Sequence, residues 1–247
     1  MTHPGLARWT AALYADRSED LPCWRALARQ YPDPVLDLGC GDGRVAQALA
    51  DDGHIVIGID HDSQAIALAD ARRPASQRRA AHYVHADITD FRVPELAGLS
   101  ILSCHTFAQL SDLEAKSTLA CVRRATAKGG AVTLDLPAPN AALGSSASGE
   151  PLAVLVDPLN GHPIQVYART RRRGPRRSAV TWWYDELLPD GHVLRVEVST
   201  TYTFWTPSQL RRLLAQAGFP RARFFSNYDM DEYRTGASHL IALGEAA

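Results

Sequence analysis

The chain has 247 residues, 46% of them hydrophobic, enough to bury a core as one large domain or as a domain with a subdomain. A net charge of -1 and a pI near 6.7 exclude a global field that gathers nucleic acid or anionic membrane. Apolar runs such as Ile55 to Ile59 are strand-length, far short of a bilayer span.

The N-terminus, MTHPGLARWT, lacks the basic-then-apolar order of a secretory signal, so a cytoplasmic protein is expected. Cys23, Cys40, Cys104 and Cys121 are widely spread, without C-x-x-C spacing. Reduced thiols are expected, and neither a zinc ribbon, a disulfide scaffold nor any other metal site.

In chain order, Leu6, Trp9 and Leu13, then Trp24, Leu27, Ala28 and Tyr31 fall at helical spacing. They predict two short helices broken near Asp16 to Pro22. Pro32 and Pro34 bar helix and lead into a strand, VLDLG, from Val35 to Gly39. Helix and strand then alternate: a helix over Arg44 to Asp51, a strand over Ile55 to Asp60, a helix over Ser63 to Arg72, and strands over Tyr83 to His85 and Ser100 to Cys104. Ser111 opens the next helix with Glu114 as capping partner. That helix is predicted to run to about Lys128, where Gly129-Gly130 stops it, before a strand over Ala131 to Leu136. Such alternation implies βαβ units and a parallel sheet.

The pattern changes after Pro137. Residues 138–151 are rich in Ala, Pro, Ser and Gly and read as a mobile loop. Ile164 to Arg172, Ala179 to Leu188 and Val193 to Trp205 are β-rich and separated by turn sequences, which predicts a meander of about three antiparallel strands. Helical pattern returns at Thr206-Pro207-Ser208-Gln209 and closes at Gly218, and two strands follow, Ala222 to Phe225 and His239 to Leu243.

The chemistry concentrates at VLDLGCGDGR, residues 35–44. A strand runs into Gly39, Gly41 and Gly43, and a helix starts directly after them. Bare backbone there can turn sharply and lie against a ligand, and a helix N-terminus favours a carboxylate. Dinucleotide turns follow G-x-G-x-x-G. Here the last interval is two, and Asp37 stands ahead of the first glycine, suited to an amino-acid ammonium and repellent to a pyrophosphate. Asp60, 21 residues after Gly39, ends the second strand in GIDHD, where a carboxylate can accept both ribose hydroxyls. Asp87, in HADITDF, ends the third strand, within reach of an exocyclic adenine amine.

These three motifs, in this order, resemble the class I S-adenosylmethionine-dependent methyltransferases, and SILSCHTFAQL with AKGGAVTLDL is similar to the fourth and fifth strands and acceptor loop of the small-molecule branch. The resemblance implies an α/β fold: a doubly wound, mostly parallel seven-stranded sheet, Rossmann-like, with an inserted antiparallel β subdomain. It implies S-adenosylmethionine as cofactor, with Gly39, Cys40 and Gly41 lining the methionine moiety, Asp60 on the ribose, His61 packed on adenine, and Asp87 with Ile88 at the adenine edge. Cys104, the last residue of the predicted fourth strand, joins that set. The expected organisation is 1–34 as helices covering cofactor and substrate, 35–137 and 206–247 as the cofactor domain, and 138–205 as loop plus β insertion covering the acceptor.

The expected reaction is methyl transfer to nitrogen or oxygen of a small-molecule acceptor in secondary metabolism. His105 is the candidate general base, against a structural histidine; Tyr14 is a candidate to close over the donor, against a packing tyrosine. Trp182 and Tyr184 should share one face of their strand and Trp183 the other, as core or as an acceptor lid. Six arginines within residues 169–177 read as a solvated hairpin tip, the alternative being an RNA or protein methyltransferase that uses them. A nonenzymatic cofactor-binding regulator is the third reading. Neither nucleic acid nor membrane is expected as a partner, and the oligomeric state stays open between monomer and homodimer.

Overall fold

The computed structural model describes residues 3, 5–139, 141, 143, 145–146 and 149–247. The chain divides into two compact units, one of residues 18–141 and 204–247, the other of residues 1–17 and 142–203.

The larger unit holds a seven-stranded sheet. Its strands are β1 (Val35–Leu38), β2 (Val56–Asp60), β3 (Ala81–His85), β4 (Ala97–Leu102), β5 (Thr126–Pro137), β10 (Arg221–Phe225) and β11 (His239–Glu245), in the order β10-β11-β5-β4-β1-β2-β3. β1 pairs in parallel with both β2 and β4, while β11 runs antiparallel between β5 and β10. The order reverses at β1, so the crevice past its carboxyl end is where such sheets bind ligands. This is the doubly wound, mostly parallel sheet the alternation predicts.

The helices of this unit are α2 (Leu21–Ala28), α3 (Arg44–Asp51), α4 (Ser63–Arg72), α5 (Asp112–Ala125) and α6 (Pro207–Gln216). Their starts are written in local chemistry. The Asp62 side chain caps α4 through the Gln64 N–H; Ser111 with Glu114 and Thr206 with Gln209 form complete capping boxes on α5 and α6. Trp24 and Leu27 of α2 and Val45 and Leu49 of α3 pack with Val35, Val56, Leu99 and Ile101 of the strands. α2 therefore belongs to the sheet unit, whereas residues 1–34 were expected to form one N-terminal piece.

One boundary differs from expectation. The helix predicted to reach Lys128 ends at Ala125, and Gly129-Gly130 lies inside β5. Thr126 turns the chain, its hydroxyl donating to the Val122 carbonyl at 2.6 Å. Gly130 serves close strand approach: a Cβ there would stand 2.8 Å from the Gly98 carbonyl of β4.

The smaller unit holds α1 (Leu6–Leu13) and an antiparallel sheet of β6 (Ala153–Val156), β7 (Pro163–Arg172), β8 (Arg177–Leu187) and β9 (Val193–Thr203), in that order. β6 goes beyond the expected three strands. It is a short edge strand, AVLV, with Val154 and Val156 exposed and Ala153 and Leu155 inward; all four being apolar, its sequence shows no alternation to count. Trp9 of α1 packs on Ile164, Val166 and Tyr184, with Trp182 against the same cluster. Its indole donates to Asp157 at 2.8 Å, and Arg8 clasps that buried carboxylate at 3.0 and 2.7 Å. Trp183 faces the other way, donating to Glu197 at 2.8 Å, as strand alternation requires. Around the β7–β8 turn, Arg169, Arg171 and Arg172 of β7, Arg173 of the turn and Arg177 of β8 are exposed. Of the expected mobile loop at 138–151, residues 140, 142, 144, 147 and 148 lie outside the described residues; Ser146 donates its N–H to the Ala168 carbonyl of β7 at 2.8 Å.

Candidate methyl-donor site

The glycine turn follows β1. Gly39, Gly41 and Gly43 all have left-handed backbone, with φ of 74°, 55° and 83°. Two of them are confined by neighbours: a Cβ on Gly39 would stand 2.5 Å from Thr106 Cγ2, and one on Gly43 the same distance from the Tyr83 hydroxyl. Gly41 has nothing within 4 Å of where its Cβ would be. Its backbone is the open face of the turn.

The turn is fastened to β2 by Asp60. One carboxylate oxygen accepts the Gly41 N–H at 2.9 Å and the other the Asp62 N–H at 2.9 Å. Each oxygen keeps a second lone pair, so the expected ribose role is compatible with both bonds. His61 follows with its side chain 87% exposed, and its carbonyl lies 2.9 Å from Nε2 of His85 at the end of β3. Beyond β3, Asp87 is exposed and accepts the Thr89 N–H at 2.8 Å. That bond, with the Thr89 side chain, holds its carboxyl below the usual range. Ile88 beside it is half-buried.

Asp37 is 1% exposed. Its Oδ2 accepts the Ala46 N–H at 3.2 Å, whereas its buried Oδ1 has no hydrogen-bond partner among the described residues. Burial pushes its carboxyl up to about 7, against the pull of the Arg44 charge and the Ala46 N–H. A cationic group brought to this carboxylate would relieve that penalty. Burial raises the Cys40 thiol strongly, helped by Asp37 and Asp60, so Cys40 is an inert wall.

Arg44, the first residue of α3, forms a two-point pair with Asp20 at 2.8 and 2.7 Å and touches Cys104 Sγ at 3.4 Å. Asp20 is fully buried and also accepts the Trp24 indole N–H at 2.9 Å. This brace behind the turn escapes sequence reading because Asp20 lies in a stretch that reads as a helix break.

Past β4, Cys104 and His105 have φ of 50° and 61°. Left-handed backbone in non-glycine residues costs about 1–3 kcal/mol each and gathers at functional sites. The bend aims His105 at Asp135 of β5, which is fully buried. His105 Nε2 and His239 Nδ1 each lie 3.8 Å from the same oxygen, Asp135 Oδ1, and the Tyr228 hydroxyl donates to Asp135 Oδ2 at 3.0 Å. Asp135 and His239 were missed from sequence, although a lone acid in the apolar strand AVTLDL is a signal of its own.

Asp37, Gly39, Cys40, Gly41, Asp60, His61, Asp87, Ile88, Cys104 and His105 all stand at the carboxyl ends of β1 to β4. Tyr14 caps the C-terminus of α1 in the smaller unit. For S-adenosylmethionine the residues present fit: an unfilled buried carboxylate oxygen for an ammonium, an open glycine backbone, and a carboxylate with lone pairs for hydroxyls.

Residues 35–130 match the family model described as a methyltransferase domain. A protein of Geobacillus sp. (strain WCH70), named as a methyltransferase, is 30% identical over 114 residues, and the match covers 43% of this chain and 43% of that protein, so less than half of this relative's length is spanned. The fold is similar to that of an S-adenosylmethionine-dependent methyltransferase from Clostridium acetobutylicum ATCC 824, with TM-score 0.75, 12% identity, and 97% and 96% of the two chains covered. It is similar to a sugar N-methyltransferase from Streptoalloteichus sp. ATCC 53650, with TM-score 0.75, 18% identity and 95% and 91% covered. A third likeness is to an amino pentose methyltransferase from Micromonospora echinaspora, solved with S-adenosylmethionine bound, with TM-score 0.69, 18% identity and 96% and 95% covered. Among the described residues, no helix is long and apolar enough to cross a membrane.

Proposed function

With residues 35–130 forming a methyltransferase domain on the Rossmann-like fold of the S-adenosylmethionine-dependent enzymes, we propose that this chain transfers a methyl group from S-adenosylmethionine to a nitrogen or oxygen of a small-molecule acceptor. The supporting observation is the left-handed glycine turn held between two acids, Asp37 buried behind it and Asp60 bonded to its Gly41 N–H. Asp37 takes the ammonium, Gly39 to Gly41 line the methionine part, Asp60 accepts ribose hydroxyls, and His61, Asp87 and Ile88 surround the base. When bound, the cofactor supplies a methyl group on a sulfonium, already electrophilic. The protein's work is then to orient a nucleophile and exclude water. An amine held neutral needs no base; for a hydroxyl, the half-buried His105 takes the proton. An amino-sugar natural product is the acceptor class favoured, in keeping with the sugar and amino pentose methyltransferases that share the fold.

The test is a metabolite-extract screen with isotope-labelled methyl donor, reading the mass of the labelled product, beside calorimetry with S-adenosylhomocysteine. Asp60→Ala is expected to remain folded and to bind the nucleoside far more weakly. A folded wild-type chain that binds neither donor nor demethylated product would defeat the proposal.

A further inference from the structure

We propose that His105, Asp135 and His239 hold a divalent first-row transition ion, of the zinc or iron(II) class. His105 Nε2, His239 Nδ1 and Asp135 Oδ1 lie within 4.8 Å of one another, and each nitrogen is 3.8 Å from the one oxygen. A proton shared between imidazole and carboxylate draws nitrogen and oxygen to about 2.7–2.9 Å. Both contacts are well beyond that, and both converge on the same oxygen. An ion equidistant from three atoms so spaced stands about 2.2–2.5 Å from each, against about 2.0–2.2 Å for zinc bound to histidine nitrogen and carboxylate oxygen. A closure of a few tenths of an ångström completes the site.

The surroundings agree with this assignment. A metal-ligating carboxylate is held by a second partner, and here Tyr228 donates to the other oxygen of Asp135 at 3.0 Å. The Tyr228 ring is itself fixed, 5.8 Å from Trp24 edge-on and 5.1 Å from the His239 ring. Asp135 is fully buried while the side chains of His105 and His239 keep 22% and 30% exposure. The three ligand atoms themselves, His105 Nε2, His239 Nδ1 and Asp135 Oδ1, are all shielded from solvent, so the ion would sit enclosed. Two imidazoles and one carboxylate suit zinc or iron(II) and are poor for calcium or magnesium, which take oxygen ligands.

Binding of the ion stands independently of methyl transfer; its role rests on that reading. With the ion present His105 is a ligand. Its Nε2 is then occupied and takes no proton from the acceptor.

The experiment is a titration of chelator-stripped full-length protein with Co(II), following visible ligand-field absorption, with Zn(II) as competitor. One equivalent is expected to bind and to be displaced by Zn(II). Asp135→Asn and His239→Gln should each weaken Co(II) binding by about a hundredfold or more, and Tyr228→Phe by about tenfold. Circular dichroism checks folding, and Tyr228→Phe carries the test if a ligand variant does not fold. No cobalt band in folded wild-type protein overturns the site, as does binding that persists unchanged in the folded variants. S-adenosylhomocysteine calorimetry on the same stripped sample separates the two readings: nucleoside bound without cobalt overturns only the metal site, and cobalt bound without nucleoside supports it while the donor assignment fails.

Discussion

If Asp37 takes the donor's ammonium as proposed, donor binding is expected to release a proton. The Asp37 carboxyl, pushed up to about 7 by burial, carries a proton in the ligand-free protein below neutrality, yet an ammonium needs the carboxylate. If the bound form stays ionised, affinity follows the ionised fraction of the free form and rises about fiftyfold from about pH 5 to about pH 7. Staying below about pH 7 keeps an α-amino ligand cationic. Stability runs the opposite way. The folded-state value lies above the unfolded one, so Asp37's contribution is fully present below about pH 4 and is lost as pH rises towards 7, by about 4 kcal/mol in all. Calorimetry with S-adenosylhomocysteine across this window, in buffers of differing ionisation enthalpy, reads both the slope and the released proton. Asp37→Asn should abolish the slope. A flat wild-type profile, or an equal slope in the variant, would refute the assignment of Asp37 to the ammonium.

Gly41→Ala is expected to fold, at a cost of about 1 kcal/mol for left-handed backbone, and to lose donor affinity because its Cβ enters the open face of the turn. Gly39→Ala should cost about 1–3 kcal/mol more through collision with Thr106, with Thr106→Ser restoring part of it in denaturant melts. Arg44→Met leaves the buried Asp20 carboxylate uncompensated and should destabilise by about 3–5 kcal/mol, whereas the double variant Arg44→Met with Asp20→Asn should recover most of that; unequal recovery in chemical denaturation would count against the pair as a brace. Arg8 hydrogen bonds hold Asp157 well below the usual carboxylate range. Its stabilisation is present above about pH 4 and fades as pH falls towards the depressed value. Asp157→Asn should remove that acid dependence and raise hydrogen exchange in residues 5–13.

Much of this architecture is legible in the chain. The strand, glycine turn and helix at 35–51, the acids at 37, 60 and 87, and the capping boxes at Ser111 and Thr206 follow from local rules: period, backbone freedom and side-chain capping. What escapes is what distant residues do together. Gly129-Gly130 reads as a helix stop because local chemistry cannot see the Gly98 carbonyl of the neighbouring strand. β6 is four apolar residues, AVLV, so polar alternation cannot mark its inward Ala153 and Leu155 from its exposed Val154 and Val156. His239 looks like the start of a strand until the fold sets it across from His105, and no spacing rule links residues so far apart. The grouping of α2 with the sheet unit is likewise a matter of which core Trp24 and Leu27 enter, Trp24 being as apolar and as helically spaced as Trp9.

Trp9 also sets an order of events. Its core partners, Ile164, Val166 and Tyr184, leave the ribosome long after it does, and every residue of the parallel sheet up to Pro137 emerges in between. The first helix must wait, its apolar stripe unshielded, until β7 and β8 arrive; such distant closure is slow and invites aggregation. Trimming the opening dozen residues would therefore injure a sheet more than a hundred positions downstream.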